Sequence, residues 1–295
     1  MQNDRVAHFC ASPMRAVSRR SLNFPDSSPP PSASSTKKTL TKICACCLRL
    51  ALRWAAPRPK ASVRLKDGSL AIAKFPRRDD EINVVAWEAV ALALARKAGI
   101  ATPTARLEDV AGKPVLVVTR FDRGKKRRTP FLSAMSMLGA KDNESRSYLE
   151  FVDVLRRYGA APTEDMEALW RRMVFTILIS NTDDHLRNHA FLYEGQNGWR
   201  LSPAYDLNPV PIDIKPRVLA TAITEDDTTA SLALALEVAG YFEIAEARAR
   251  TIAAEVAAAV STWRAIARRH GISRQEVDRM ASAFEHRDFE VARGR

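Results

Sequence analysis

Cysteine is absent from most of this 295-residue chain. Cys10, Cys44, Cys46 and Cys47 all lie before residue 50, and the last three have no second pair of ligands at the spacing of a zinc site. The sequence therefore predicts no cysteine-bound metal. A cysteine-free body also fits a reducing compartment, so we expect the protein in the cytoplasm.

Long hydrophobic runs are missing as well. No apolar stretch approaches the roughly 20 residues that span a bilayer, so we expect no membrane-spanning segment and no membrane partner. Acidic residues are scarce only at the start, where residues 1–60 hold 11 Lys/Arg against Asp4 and Asp26, a net charge of +9. Because the whole chain carries +12, residues 61–295 carry only +3, which does not predict a DNA-binding surface in the body.

Residues 1–56 differ in composition from everything that follows them. They begin with an Arg-, Ser- and Pro-rich stretch that has too little apolar surface to offset its chain entropy, so we expect disorder. From residue 57 onwards the amino-acid composition is that of a folded protein. We therefore interpret residues 1–56 as a disordered, non-native segment.

Residues 57–124 predict a small β-rich lobe with one helix. Ala61–Phe75 alternates around an Asp67-Gly68 turn, which is the pattern of a β-hairpin. A helix is predicted from Asp79 to about Lys97, and Pro114–Arg120 predicts a buried strand.

Residues 125–290 predict a larger, mainly helical lobe, so the fold class is α+β. A helix starting at Pro162 leads into the segment at Asn181, and a strand follows over Ala190–Tyr193. One or two Ala-rich helices are expected over residues 229–270. A last helix is expected from an N-cap at Ser273 to about Glu285.

The most informative motif is an Asp-x4-Asn loop followed by a later acid. Asp183 precedes Asn188 by five residues, and Asp206 follows eighteen residues after that. Protein kinases use this order, because one carboxylate orients the acceptor hydroxyl while an Asn amide and a later carboxylate hold Mg²⁺. Asp183 is therefore the predicted base. Its neighbour Asp184 faces another way and is expected to bond backbone or an arginine.

A second pair of residues fits the same chemistry. Lys74 ends a predicted strand, and Glu88 lies fourteen residues later inside the next helix. In protein kinases, a lysine on a strand forms an ion pair with a glutamate on a helix, and this lysine binds the nucleotide phosphates. The alternative is a surface lysine and a solvated glutamate; the acidic loop downstream in the right order favours the functional pair.

His185 and His189 leave a different chemistry open. Together with Asp206 they could form a metallohydrolase site, although His-x3-His binds metal from one face of a helix and this segment is predicted to be a loop. We expect His185 to shape the loop or to contact a phosphate.

The chain from about Pro57 to Glu285 resembles the HipA-like serine/threonine kinases, the toxins of bacterial type II toxin–antitoxin pairs. The matching segments are, in order, Arg58–Val63, Ile72–Pro76, Thr119–Arg123, Asn181–Asn188 and Leu201–Pro209. The resemblance implies a two-lobed, protein-kinase-like fold with ATP and Mg²⁺, with Asp183 catalytic and with Asn188 and Asp206 as metal ligands. It also implies a nucleotide site built from Lys74, Glu88, Thr119, Arg120, Phe121, His185, Asn188, Tyr205 and Asp206, with residues 119–121 on the adenine side.

Partners follow from the same resemblance. Members of the family phosphorylate protein Ser/Thr hydroxyls, including one on an aminoacyl-tRNA synthetase. They are neutralised by a small helix-turn-helix antitoxin that brings DNA with it, so DNA is expected to contact this chain only indirectly.

The sequence departs from the family at the phosphate loop. The family has a Gly- and Ser-rich loop before the Arg-Pro-Lys motif, whereas this chain has Ala55 and Ala56 there, and no serine between Ser35 and Ser62. A Cβ hinders the close approach of backbone N–H groups to a phosphate. We therefore expect a chain with a truncated or frameshifted start. The alternative function is a catalytically inactive remnant that binds an antitoxin–DNA complex.

Overall fold

The computed structural model of the chain describes residues 58–124, 127–142 and 144–294. The predictions made for residues 1–56, including their disorder and the departure from a phosphate loop, lie outside the described residues. No helix among the described residues has the length and apolar character needed to cross a bilayer.

The first sheet is antiparallel and has four strands: β1 Lys60–Arg64, β2 Leu70–Lys74, β3 Ala105–Val110 and β4 Lys113–Thr119, in the order β1-β2-β4-β3. The predicted hairpin is confirmed, with Gly68 at φ +83° in its turn, a conformation that favours glycine. The predicted strand over residues 114–120 is confirmed as β4. The sequence interpretation did not include β3.

The two faces of this sheet pack against different partners, as the two-residue repeat of a strand requires. Ala71 and Ala73 pack in a small cluster with β4 on the outer face. Leu116 and Val118 belong to the main core on the other face. Lys74 lies opposite Leu116 in the register, so it shares the inner face and reaches into the protein.

Helix α1 spans Val84–Lys97 and packs on that inner face. The expected start at Asp79 is wrong, because Asn83 is the N-cap and its side chain accepts from the Ala86 amide at 3.2 Å. Asp80 accepts two hydrogen bonds from Arg58 at 3.0 and 2.8 Å, so this acid ties the chain back to β1 instead of opening a helix.

The rest of the described chain is mainly helical, which confirms the α+β class. Its helices are α2 Ala134–Met137, α3 Tyr148–Tyr158, α4 Pro162–Leu178, α5 Leu232–Glu237, α6 Glu246–Val260, α7 Trp263–Arg269, α8 Arg274–Arg279, α9 Ala281–Phe284 and α10 Arg287–Ala292, with 3₁₀ turns at Gly195–Asn197 and Val238–Phe242. A second antiparallel sheet consists of β5 Phe131–Ser133, β6 Ala190–Tyr193 and β7 Trp199–Leu201.

Two helix predictions need correction. Residues 229–270 form three α-helices and a 3₁₀ turn, because breaks after Glu237 and Val260 divide the Ala-rich stretch. Ser273 is an N-cap as expected, accepting from the Glu276 amide at 3.2 Å, but its helix ends at Arg279. The chain then continues as α9 and the unpredicted α10.

Helix α1 is fixed to the C-terminal helices by a shared core. Trp87 contacts Trp263 and Phe284, with ring centroids 6.1 and 5.9 Å apart. The Glu276 carboxylate accepts from the Trp87 indole at 2.9 Å and from the Asn83 amide at 2.6 Å. Helix α1 and the C-terminal helices therefore share one packed core.

The buried side chain of His286 makes the folding stability depend on pH. Its Nε2 lies 3.3 Å from the Leu178 carbonyl, and burial, aided by nearby Arg217, lowers its pKa to about 4 from an ordinary 6.5. The unfolded chain then binds a proton that the fold excludes, so folding stability falls as pH drops from about 6.5 to about 4. Between pH 7 and pH 5, wild type should lose about 2 kcal/mol more stability than His286→Gln in denaturant titrations. Equal losses would contradict this.

Candidate active site

The centre of the site is a lysine between two carboxylates. Lys74 Nζ lies 2.5 Å from Glu88 Oε1 and 2.7 Å from Asp206 Oδ1. Lys74 and Glu88 are 8% and 2% exposed, whereas the Asp206 side chain retains 32% exposure. The predicted pair of strand lysine and helix glutamate is therefore a buried ion pair, and its one open side is at Asp206.

The charges in this cluster stabilise each other. Burial lowers the pKa of Lys74, but the carboxylates of Glu88 and Asp206 outweigh it, so the net shift is upward. Burial raises the pKa of Glu88, with Lys74 opposing. Burial also favours protonated Asp206, yet the Lys74 ammonium overrides this and lowers the pKa of Asp206. At neutral pH we therefore expect a cationic lysine beside an ionised Asp206.

The acidic loop follows directly from the end of α4. Ser180 turns the chain at φ +50°, and the backbone N–H of Asn181 donates to the Thr176 carbonyl at 3.0 Å. Asp183 is exposed, while Asn188 is 6% exposed and donates from Nδ2 to the Asp183 carbonyl at 2.7 Å. Among the described residues no hydrogen bond engages Asn188 Oδ1, which leaves that oxygen available to a cation.

A second segment brings Asp206 to this loop. The Asn208 amide donates to Asn181 Oδ1 at 3.2 Å, and the Val210 amide donates to the Ser180 carbonyl at the same distance. Asp206 itself has φ +58°, a left-handed conformation uncommon for residues other than glycine. Strained backbone of this kind is concentrated at functional sites. The two predicted metal ligands therefore come from hydrogen-bonded, adjacent segments.

Asp184 does not have the partner expected from the sequence. It is 2% exposed, and within the described part of the chain its carboxylate bonds neither backbone N–H nor an arginine: Tyr148 Oη donates to its Oδ2, and His189 Nε2 lies 2.8 Å from its Oδ1. His189 is 1% exposed and packs against the rings of Tyr148 and Phe151. His189 is therefore engaged away from Asp206, and the two-histidine metal site is not formed.

The residues expected near the adenine have mixed surroundings. Arg120 pairs with Asp122 through two hydrogen bonds, at 2.8 and 2.6 Å, so its charge is already engaged. Phe121 lies 5.7 Å from the Tyr205 ring, between centroids. Tyr205 donates to the Arg187 carbonyl at 2.7 Å, and burial raises its pKa. Thr119 ends β4 at the start of this segment.

His185 lies within the loop and is partly buried. Its amide donates to the Asp183 carbonyl at 3.0 Å, and its Nδ1 has no partner among the described residues. The backbone contact supports the expectation that His185 shapes the loop.

Sequence reasoning missed several residues of the site. Lys60 lies opposite Lys74 in the β1–β2 register, and its charge contributes to the lowered pKa of Asp206. The hairpin register could have indicated this residue, because cross-strand neighbours share a face. Asn181, Asn208 and Tyr148 gave no comparable signal, since their contacts join segments far apart in sequence.

The oxygen ligands present fit Mg²⁺ better than a transition metal. Asn188 and Asp206 offer hard oxygen atoms, and Mg²⁺ is commonly held by one or two protein ligands together with substrate phosphates. Within the part of the chain that the structure describes, no group of three or more His, Cys, Asp or Glu side chains could hold a metal ion.

Comparisons with known proteins found sequence relatives and solved structures that are similar to this chain. A family model described as "HipA-like C-terminal domain" matches residues 55–263. The "Putative kinase Y4mE" of Sinorhizobium fredii is 28% identical over 186 residues, 54% of this chain and 42% of that protein. A "Putative kinase" of Haemophilus influenzae is 25% identical over 165 residues, 50% of this chain and 48% of that protein. The matches thus span less than half the length of these relatives.

Two solved structures share the fold. HipA of Shewanella oneidensis, in a complex with HipB and operator DNA, aligns with 90% of this chain and 73% of its own at 16% identity, with a TM-score of 0.65. The proinflammatory kinase CtkA of Helicobacter pylori aligns with 82% of this chain and 92% of its own at 14% identity, with a TM-score of 0.61. The expected protein-kinase-like fold is confirmed.

The buried ion pair predicts an asymmetric stability effect. Lys74→Met leaves the Glu88 carboxylate buried without its closest cation, which should cost about 3 kcal/mol of folding stability. Adding Glu88→Leu removes the stranded charge and should recover most of that loss. Lys97→Met, at the exposed end of the same helix, should change little. Chemical denaturation measures all four proteins, and a double variant no more stable than Lys74→Met would contradict the assignment.

Proposed function

Because the chain belongs to the family of HipA-like C-terminal domains, we propose that it is an ATP-dependent protein kinase that phosphorylates serine or threonine hydroxyls. The observation that carries the proposal is the placement of Lys74 between Glu88 and Asp206, with Asp206 joined through Asn208 and Asn181 to the loop of Asp183. This combines a fixed cation, an oxygen ligand and an exposed carboxylate in one region.

Lys74 supplies the fixed positive charge for nucleotide phosphates. Glu88 holds the ammonium from the buried side at 2.5 Å, so its position is set before any ligand arrives. The 2.7 Å contact to Asp206 is on the more exposed side. Lys74 therefore exchanges part of its contact with Asp206 for phosphate oxygens when a nucleotide binds.

Asp183 acts as the base. Its carboxylate is exposed, so an acceptor hydroxyl can approach it, while its carbonyl is fixed by the Asn188 side chain at 2.7 Å. The carboxylate orients the hydroxyl and accepts its proton as the phosphoryl group is transferred. Asn188 and Asp206 would hold Mg²⁺, which when bound neutralises charge on the phosphates.

Residues 119–121 form the adenine side of the proposed cleft. Thr119 ends β4, Arg120 follows it, and Phe121 adds an aromatic ring beside Tyr205. Tyr205, anchored on the Arg187 carbonyl, and His185 complete the nucleotide surroundings.

The proposed partners are those that the family implies. The acceptor is a Ser/Thr hydroxyl on a protein such as an aminoacyl-tRNA synthetase. The regulator is a small helix-turn-helix antitoxin, with DNA contacted through it. The Shewanella relative, whose solved complex contains HipB and operator DNA, supports the antitoxin part of the proposal.

One sequence observation favours a second function. Ala55 and Ala56 replace the glycines expected in a phosphate loop, and a chain with weakened nucleotide binding could still act as an inactive module that binds antitoxin. Antitoxin binding without nucleotide affinity would favour this alternative.

Transfer of radiolabelled γ-phosphate from ATP to protein tests the proposed kinase. Asp183→Ala removes the base and should reduce the rate by about 10² to 10⁴-fold. Asp278→Ala, which removes an exposed carboxylate on α8, is the matched control and should keep the wild-type rate. Equal rates in Asp183→Ala and wild type would contradict the assigned role, and no labelled protein with wild type would contradict the proposed kinase.

A further inference from the structure

Beneath the exposed Asp183 lies a buried polar cluster that the proposed phosphoryl transfer does not use. Its centre is Asp184, whose two carboxylate oxygens are bound by Tyr148 Oη and His189 Nε2. Two adjacent aspartates therefore have opposite surroundings, one exposed to solvent and one fully engaged in the core.

The Asp184 contacts close the loop at its base. Asp184 and His189 lie at the two ends of the segment that contains Asn188, and their side chains join at 2.8 Å. Inside the same segment, Asn188 Nδ2 donates to the Asp183 carbonyl and the Asn188 amide donates to the His185 carbonyl at 2.8 Å. The hydrogen bonds that place Asn188 relative to Asp183 therefore lie inside the segment that the Asp184–His189 contact closes.

The same residue ties the loop to two other parts of the fold. Tyr148 begins α3, and its amide donates to the Ala222 carbonyl at 2.9 Å. Thr221, which is 0% exposed, donates to the Asp184 carbonyl at 2.6 Å. Asp184 thus joins the loop, α3 and the segment at residues 221–222.

Both carboxylate oxygens of Asp184 have a hydrogen-bond partner in the cluster, whereas His189 Nδ1 has none among the described residues. Tyr148 donates its hydroxyl proton to Asp184 Oδ2, and in the His189 tautomer with a proton on Nε2 that nitrogen donates to Oδ1. Burial, reinforced by the neighbouring Asp184, raises the pKa of Tyr148 well above its usual range, so this hydroxyl stays a donor. Arg172, 3% exposed, adds a buried positive charge near Asp184.

We infer that Asp184 is a positioning residue, which acts through Tyr148 and His189 to hold Asp183 and Asn188 in their working arrangement. Its effect on phosphoryl transfer rests on the proposed function; its effect on the loop does not. A carboxylate with two buried donors is costly to leave half-satisfied, so removing any one member should loosen the loop.

Amide hydrogen exchange by NMR tests this directly. In Asp184→Ala, exchange at the Asn188 and His185 amides should become about tenfold faster relative to core amides of α4. Tyr148→Phe, which removes one hydroxyl and keeps the ring, should act in the same direction and serves if the alanine variant does not fold. Asp184→Asn should restore slow exchange, because its amide oxygen accepts from Tyr148 and its NH₂ donates to the other His189 tautomer.

Asp183→Ala is the matched control, since it removes the neighbouring carboxylate without touching the cluster; its loop exchange should equal that of wild type. Unchanged exchange in both Asp184→Ala and Tyr148→Phe would overturn the inference. Acceleration that is equal throughout α4 and is not reversed in Asp184→Asn would also overturn it, because it would indicate only global destabilisation.

The catalytic consequence is measured separately. In Tyr148→Phe the kcat for phosphoryl transfer should fall about tenfold, and KM for ATP should rise no more than in Asn188→Ala, since Lys74 is untouched. If wild type transfers no phosphate, the proposed function fails while the exchange result still decides the positioning role. A raised KM with unchanged kcat would contradict positioning of the reacting groups.

Discussion

The structure depends on burying one ammonium group between two carboxylates. Lys74 lies on the inner face of a four-stranded sheet, Glu88 on the helix packed against that face, and Asp206 on a segment 132 residues away from Lys74 in sequence. A buried charge is tolerated only when its partners are held in place, so this contact requires the sheet, α1 and the helical part to keep one mutual arrangement. The shared core of Trp87, Trp263 and Phe284 supplies that constraint.

This arrangement separates two kinds of acidic residue. Glu88 and Asp184 are buried and fully engaged, and they fix the positions of Lys74 and of the acidic loop. Asp183 and Asp206 face the accessible side and remain available to ligands. Electrostatic catalysis requires charged groups whose positions are fixed before the substrate binds. Here the buried acids fix the positions of the exposed ones. Asp206 has a left-handed backbone conformation. The hydrogen bond from the Asn208 backbone amide to Asn181 in the acidic loop holds this conformation and so fixes the position of the Asp206 carboxylate.

The structural features that local sequence patterns encode could be predicted from the sequence. The hairpin, β4, the start of α4 and the pairing of Lys74 with Glu88 follow from alternation, turn residues, an N-terminal proline and a motif with fixed order. The start of α1 could not, because Asp80 is used by Arg58 and Asn83 is the N-cap instead. The partners of Asp184 could not either: Tyr148 is 36 residues away and reaches the loop only through tertiary packing. Single-sequence patterns carry no information on such contacts.

We propose that Lys74, Asn188 and Asp206 form one site for a Mg²⁺–nucleotide complex, and titration calorimetry with ATP measures this binding. Wild type should bind ATP more tightly with Mg²⁺ than with EDTA, and this difference should disappear in Asn188→Ala and Asp206→Ala. Lys74→Ala should weaken binding under both conditions. Absence of measurable ATP binding by the wild-type chain, with and without Mg²⁺, would contradict the claim, as would a Mg²⁺ effect that persists in both ligand variants.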